Sequence, residues 1–570
     1  MLSSLLSNTQ YPLIKWGQRK DRLFITINVF HSGKPLIDII EGKKIKYQGT
    51  DGTINYAFEL ELYGEIIKKE SKFALEFRNI FLDIKKKKSD TWPKLTKDEK
   101  KYQWIQVDWT YFSEEDEEDN NSKQPNIKGQ YFEDTNMDVD DNNNKDKKEG
   151  EKKDEDLKNI KKINRDEPFE KFITYTKDSN GNISSPMLDN MRIGNSFNFN
   201  KYSIFDSNSE IFGDDIKYIN DLLTNYIKTK KIENKLSLLE SGSIGSMLGM
   251  VIADSMGHRY EFEPVRYNEI TLKDMGVGKG GRFGLLPGQW TDDTSMGLCL
   301  ADSLIMKNGE YDAHDLIHRF ICWWFFGYDN AFRFDDSRGN SVGLGGQISA
   351  SLYNYVSEPK EETAMGDINS SGIGSIMRNA AVPICYHNNI DKAMDIAKRQ
   401  SLTTHQGNEA AECCRLLTYI IIKILNRKNE KLNDIIGNLE KFETPVNSVK
   451  CLALSKKESK DKDRNWDWKN KKFRYSPTRS QKQPGYIGSY AMDGMAMALH
   501  VLYYTNNFKD AIIKVVNLRG DSDSVGAVVG QIAGAYYGVE YIPPEWIETV
   551  SKWDHFEIPL RGYILQKLVK

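Results

Sequence analysis

No cysteine stands before Cys299 in this 570-residue chain, and the six that follow are not spaced as metal ligands, so neither a disulfide scaffold nor a zinc site organises the fold. That usage fits a reducing compartment, and the cytoplasm, with the nucleus also open, is the expected location. The chain lacks an excess of either charge: 79 Lys and Arg stand against 82 Asp and Glu, a net charge of -3. Such a balance offers no global attraction to nucleic acid or to an anionic membrane. Residues Met1 to Gln10 show no basic segment ahead of a long apolar run, so no secretory leader is expected. Long apolar runs are scarce throughout. One, Val525 to Tyr541, raises the question of a membrane span. Asp521 and Asp523 at its entrance, Glu540 at its exit and glycine at every fourth position (Gly526, Gly530, Gly534, Gly538) fit better with a buried helix that a neighbour approaches closely. Neither a membrane nor a nucleic acid is expected as a partner.

What is present divides into regions, as a chain too long for one hydrophobic core requires. Residues 11–112 alternate with period two: Leu23, Ile25, Ile27 and Val29 against Phe24, Thr26 and Asn28, then Phe58, Leu60 and Leu62 against Glu59 and Glu61. Half-buried strands in an all-β sandwich follow from that pattern. Residues 113–165 are Asp, Glu, Asn and Lys with few aliphatics, which predicts a disordered linker, extended here to 235 with short ordered pieces. From 236 to 570 the texture becomes small-residue and apolar at helical spacing: Ser243 to Met256, Asp293 to Met306, Ala411 to Leu425, Ala491 to Tyr504 and Val525 to Tyr537. This predicts one large all-α domain, with a polar, partly ordered surface insertion near 427–484.

Two short acidic clusters carry the chemistry. Thr291-Asp292-Asp293-Thr294 and Asp521-Ser522-Asp523-Ser524 each open an apolar helix. An acid at a helix start is ordinarily a cap. Two carboxylates with adjacent hydroxyls at each start exceed what capping needs, and hard divalent cations take oxygen ligands gathered from several places. Glu261, in Glu261-Phe262-Glu263, offers a further ligand or proton-transfer group.

Two resemblances extend this reading. Trp92-Pro93-Lys94-Leu95-Thr96-Lys97 followed by Trp104-Ile105-Gln106-Val107-Asp108-Trp109 resembles the closing motif of CS domains, β-sandwich co-chaperones of the ninety-kilodalton heat-shock chaperone, and the acidic run Glu114 to Asp119 matches their tails. That likeness implies a chaperone partner for roughly the first 112 residues.

The second resemblance runs through Gly242 to Glu261, Gly288 to Leu304, Gly374-Ser375-Ile376-Met377-Arg378-Asn379-Ala380, Thr404-His405, Gly485 to Ala498 and Gly520 to Gly538. In that order these stretches are similar to the ADP-ribosylglycohydrolase family. The resemblance implies a binuclear magnesium site on Thr291, Asp292, Asp293, Asp521, Asp523 and Ser524. It implies catalysis by Asp292, Asp293 and Glu261, and an ADP-ribose pocket lined by Gly343, Gly345, Ser375, Met377, Arg378 and His405. The function it implies is magnesium-dependent removal of ADP-ribose from modified protein side chains through an N- or O-glycosidic bond. The alternative is a non-catalytic ADP-ribose-binding chaperone adaptor. Arg519 departs from the family pattern, standing where glycine commonly precedes the Gly-Asp pair.

Overall fold

The computed structural model describes residues 9–29, 35–107, 166–193, 197–232 and 236–568, apart from short gaps at 41, 51–54, 77–78, 99, 101, 103, 362–363, 365 and 367. The expected linker at 113–165, Trp109 and the acidic run after it lie outside the described residues. The chain divides into two compact units, the second containing residues 157–189 and 197–570.

The N-terminal unit is all β. Strands β1 (Thr9–Gln10), β2 (Leu13–Gln18), β3 (Arg22–Asn28), β4 (Leu36–Ile40), β5 (Gly42–Thr50), β6 (Asn55–Glu76), β7 (Asn79–Lys86) and β8 (Ile105–Val107) form one sheet in the order β4-β5-β6-β7-β3-β2-β8, with β1 parallel to β6. β6 makes the turn between layers. Residues Asn55 to Glu61 pair with β5, residues Phe73 to Glu76 pair with β7, and the β6–β7 register shifts between Ile67 and Lys72. Strands from both ends of the path share one core, including Ile14, Leu23, Ile25, Ile45, Leu60 and Leu82, so the sheet curls into two facing layers. Trp92 closes it. A Cβ at Gly64 would lie 2.6 Å from the Trp92 ring, and Gln18 pairs with the Trp92 backbone in both directions, at 2.7 and 2.8 Å. Lys86, 2% exposed, donates to Gln18 Oε1 and to the Arg19 and Asp90 carbonyls at 2.7–2.8 Å, so this buried cation is fully accommodated.

The second unit is helical: α1 (Pro168–Ile173), α2 (Pro186–Ile193), α3 (Ser209–Thr229), α4 (Leu238–Gly257), α5 (Asp292–Met306), α6 (Ala313–Phe326), α7 (Gly346–Ser357), α8 (Ala381–Cys385), α9 (Ile390–Leu402), α10 (Asn408–Leu425), α11 (Leu432–Gly437), α12 (Asn447–Ala453), α13 (Pro477–Lys482), α14 (Ala491–Tyr503), α15 (Phe508–Val516), α16 (Ser522–Tyr537), α17 (Pro544–Asp554) and α18 (Glu557–Leu565). α4 starts with a capping box, Ser237 and Glu240 each accepting the other's backbone N–H at 3.1 and 2.8 Å. Every residue from Ser241 to Gly257 is then buried, as is α5 throughout and α16 from Ser522 to Ala535.

α4 and α16 run antiparallel with backbone against backbone. A side chain at Gly245, Gly249, Gly530 or Gly534 would strike the carbonyl of the facing glycine, so the four-residue glycine repeat sets the spacing of this pair. Antiparallel packing brings the last turn of α4 beside the first turn of α16, where Ser522 Oγ donates to the Gly257 carbonyl at 2.8 Å. Among the described residues no helix is long and apolar enough to cross a membrane.

Two boundaries differ from the sequence expectation. The helical unit begins well before 236. Glu170 pairs with buried Arg319 at 3.0 Å, and Tyr226 donates to the Glu540 and Ile542 carbonyls at 2.8 and 2.9 Å. Phe169, Phe172, Phe205, Phe212 and Tyr226 are therefore core residues of this unit. The insertion near 427–484 is likewise packed: Trp466 and Trp468 are 1% and 0% exposed, and the Trp468 indole donates to the Leu452 carbonyl. Its polar surface residues mask those anchors in the sequence.

Candidate active site

The two acidic clusters converge. Carboxylate oxygens of Asp254, Asp293 and Asp523 all lie within 4.8 Å of one another, and all three residues are buried. They come from three helices: Asp254 from the end of α4, Asp293 from the first turn of α5 and Asp523 from the first turn of α16. The amino ends of α5 and α16 thus point their positive dipoles at the carboxylates.

Asp254 explains why the α5 carboxylates are not caps. Its Oδ1 accepts the Thr291 hydroxyl at 2.8 Å and backbone N–H at 3.1 Å, while Oδ2 accepts the Thr294 hydroxyl at 2.6 Å and N–H at 3.0 Å. A carboxylate from another helix therefore satisfies the free amides of α5. Thr291 makes no cap bond of its own, and its hydroxyl also reaches Asp293 Oδ2 at 3.2 Å. Asp254 was absent from the sequence-based ligand set. Its signal is present nonetheless: after Glu240 it is the only charged residue in a twenty-residue helix of otherwise small and apolar character.

Among the described residues, none of Asp254, Asp292, Asp293, Asp521, Asp523 and Glu261 forms an ion pair with Lys, Arg or His. Burial pushes Asp254 up to about 6. Glu261 is pushed up to about 9 by burial and then by Asp521 and Asp292. Asp292, Asp293 and Asp523 are held well above the ordinary range by burial and by one another. Asp521 is raised by burial against hydrogen bonds from Ser489 and Ser524. Asp293 Oδ1 and Glu261 Oε2 are buried with no hydrogen-bond partner. Crowded carboxylates, orphaned oxygens and an all-oxygen donor set fit a hard divalent cation, which would supply the missing positive charge.

The other residues singled out in the sequence divide by position. Gly343, with φ +97°, packs against Asp292, and a Cβ there would collide with the carboxylate. Gly345 is exposed at the start of α7, with only Ile348 near it. Ser524 Oγ donates to Met377 Sδ at 3.5 Å, placing Met377 beside the α16 start. Ser375 is turned inward to Ser401 and Cys414. Arg378 differs from the expected phosphate ligand. It is 0% exposed, its guanidinium donates to Gln400 and Thr404 at 2.9–3.0 Å and stacks over Phe320 at 4.6 Å, and so it knits the floor of the unit. His405 Nδ1 lies 2.8 Å from Thr404 Oγ, and burial drives the ring down to about 3, so it is neutral. The Arg519 side chain does not enter the acidic cluster. Its guanidinium pairs with Glu263 and Glu269 and lies over the Tyr260 ring at 4.8 Å. Gly520, at φ +67°, then packs tightly under the Ile487 carbonyl, and the ladder from Glu261 and Glu263 to Gly520 carries the chain into Asp521.

Beside Asp521, through Ser489, opens a cleft of about 380 Å³ lined by Ser371, Arg479, Tyr486, Ser489, Tyr490 and Asp493. Arg479 comes from the insertion and binds Asp493 in bidentate fashion at 2.6 and 2.8 Å. The cleft meets the acidic cluster through the Ser489 hydrogen bond to Asp521.

Against known proteins, the family profile for ADP-ribosylglycohydrolase matches residues 237–568. The chain belongs to the ADP-ribosylglycohydrolase family. It is a glycohydrolase by that membership. It is 31% identical to the ADP-ribosylarginine hydrolase Tri1 of Pseudomonas putida over 315 residues, 55% of this chain and 75% of that protein. It is 24% identical to the ADP-ribosylhydrolase ARH3 of Homo sapiens, over 55% of this chain and 90% of the relative. A solved structure described as an ADP-ribosylglycohydrolase-related protein complex is 26% identical, covering 58% of this chain and 100% of that one with a TM-score of 0.44. The ADP-ribosylglycohydrolase match spans α4 through α18 and includes every carboxylate of the cluster.

Proposed function

We propose that the helical unit removes ADP-ribose from modified protein side chains, with magnesium as its cation. The observation that carries this reading is the convergence of Asp254, Asp293 and Asp523 within 4.8 Å in a member of this family. The names of its relatives, an ADP-ribosylarginine hydrolase and an ADP-ribosylhydrolase, supply the substrate class.

The reaction breaks the bond between ribose C1 and the nitrogen or oxygen of the modified side chain, and water adds to C1. Its transition state has oxocarbenium character. Asp293 and Asp523 would hold Mg²⁺, two ions in this reading, with Asp292, Asp521, Thr291 and Ser524 offering flanking oxygens, and the cation would supply fixed positive charge and acidify water. Asp254 fixes the α5 turn through Thr291 and Thr294. Glu261, buried beside Asp521 and Asp292, is placed to serve as the acid–base group of this reading. Gly343 leaves room for the Asp292 carboxylate, which a Cβ there would displace.

Arginine- and serine-linked ADP-ribosyl peptides, assayed with full-length protein in Mg²⁺ and in chelator, test the reading. Release of free ADP-ribose only in Mg²⁺, and its loss in Asp523→Asn, is the expected result. Full turnover in chelator would remove the cation, and release of AMP would remove the glycosidic reaction.

We further propose that the β unit acts as a CS-like recruiting domain for the heat-shock chaperone. Its support is the Trp92-Pro93 motif at the closed end of an all-β core. Titration of full-length protein with the chaperone, against a chain lacking residues 1–112, should show a complex only for the former. No complex with either would end this role.

A further inference from the structure

We propose that a second cavity in the helical unit, about 610 Å³ and walled by residues of α14, α15 and the segments around 266–270 and 471–474, binds a small aromatic phosphate. It shares no lining residue with the cleft beside Asp521.

Its walls combine two chemistries. Arg474, Lys514 and Lys471 reach it, and among the described residues none of them pairs with an acidic side chain. Arg474 donates to the Phe473 carbonyl and otherwise rests over the Tyr267 ring at 4.5 Å; Lys514 rests over the Tyr504 ring at 5.7 Å. The acids nearby are engaged: Glu269 pairs with Arg266 at 2.9 Å and Arg519 at 3.1 Å, and Asp510 accepts from Asn507 at 2.7 Å at the start of α15. Arg474 and Lys514 line the same cavity, and Lys514 is lowered by burial and then by Arg474. A dianion between them would replace repulsion with charge-assisted hydrogen bonds.

The remaining wall is mixed. Ile270, 44% exposed, is its main apolar surface, with Met497, Val501 and Leu518 buried behind it and Thr505 and Asn517 as polar neighbours. An inorganic anion alone would leave that surface against water, whereas an aromatic body would cover it and lie against Tyr267 and Tyr504. The volume suits a ligand of that size.

Phenyl phosphate is the probe. Calorimetric titration of the full-length protein should saturate, with phenol and inorganic phosphate each binding at least about tenfold more weakly. Arg474→Glu with Lys514→Glu should weaken phenyl phosphate by at least about tenfold while leaving hydrolase turnover unchanged, and the milder Lys514→Met should weaken it severalfold. Asp523→Asn should bind it as the parent does. The absence of saturation up to about 10 mM, unchanged affinity in the charge-reversed protein, or loss of binding in Asp523→Asn would each overturn the assignment.

Discussion

Two groups of charges in the helical unit are withdrawn from water, and they are treated in opposite ways. Arg319, 0% exposed, holds Asp315 at 2.9 Å and Glu170 at 3.0 Å; Arg561 holds Asp302 at 2.6 Å and Asp329 at 3.3 Å, and Tyr328 ties the two pairs through hydrogen bonds to Arg319 and Asp302. Every carboxylate there has a guanidinium. The cluster of Asp254, Asp293 and Asp523 has none. Buried charge that the chain neutralises itself is architecture, joining α1 to α6 and α18 to α5. Buried charge of one sign, left unbalanced by any side-chain cation, marks the candidate cation site.

The comparison can be broken from either side. The largest effect is expected at the unbalanced cluster: Asp293→Asn should lower turnover by roughly 10³–10⁴-fold. The same change should leave the melting temperature of the metal-free protein unchanged or higher, because it removes like-charge repulsion. A matched pair of thermal melts and product assays checks both halves. Arg319→Met should do the reverse. It strands Glu170 and Asp315, destabilising the unit by about 3–5 kcal/mol in denaturant titrations, with turnover per folded molecule retained.

Smaller effects sharpen the boundary between the groups. Thr294→Val removes the hydroxyl that Asp254 Oδ2 accepts at 2.6 Å, and cation affinity should weaken by roughly 10–100-fold with little loss of stability. Asp554 lies in neither cluster. Burial raises it from 3.8 to about 7, so the folded protein holds a proton there that the unfolded chain has released. Its contribution is fully present below pH 3.8 and is lost as pH rises through about 7. Asp554→Asn should flatten that part of the stability profile, measured as its difference from the parent.

Much of this was legible in the sequence, and the gaps have physical reasons. Period two marked Leu23, Ile25, Ile27 and Val29, all of them buried, yet Phe24 is buried too because it stacks on Phe81 across the other face of the sheet at 6.0 Å. The glycine repeat pointed to a neighbour packed closely on α16, and that neighbour is α4. Asp254 escaped because its purpose is a cap on a helix 37 residues away in the chain, which local pattern does not express. The family resemblance put Arg378 in the ADP-ribose pocket, but its burial over Phe320 depends on tertiary packing. The aromatic residues from Phe169 to Tyr226 sit among polar neighbours, and their partners, such as Arg319 over Phe169 and the Glu540 carbonyl at Tyr226, are far away in the chain.

Cation binding by the full-length protein is the most direct test. Calorimetric titration with Mg²⁺ should show saturable binding to the parent and none to Asp523→Asn, whose fold is confirmed by its melt. Equal binding by both proteins, or turnover by a parent that binds no divalent cation, would contradict the account.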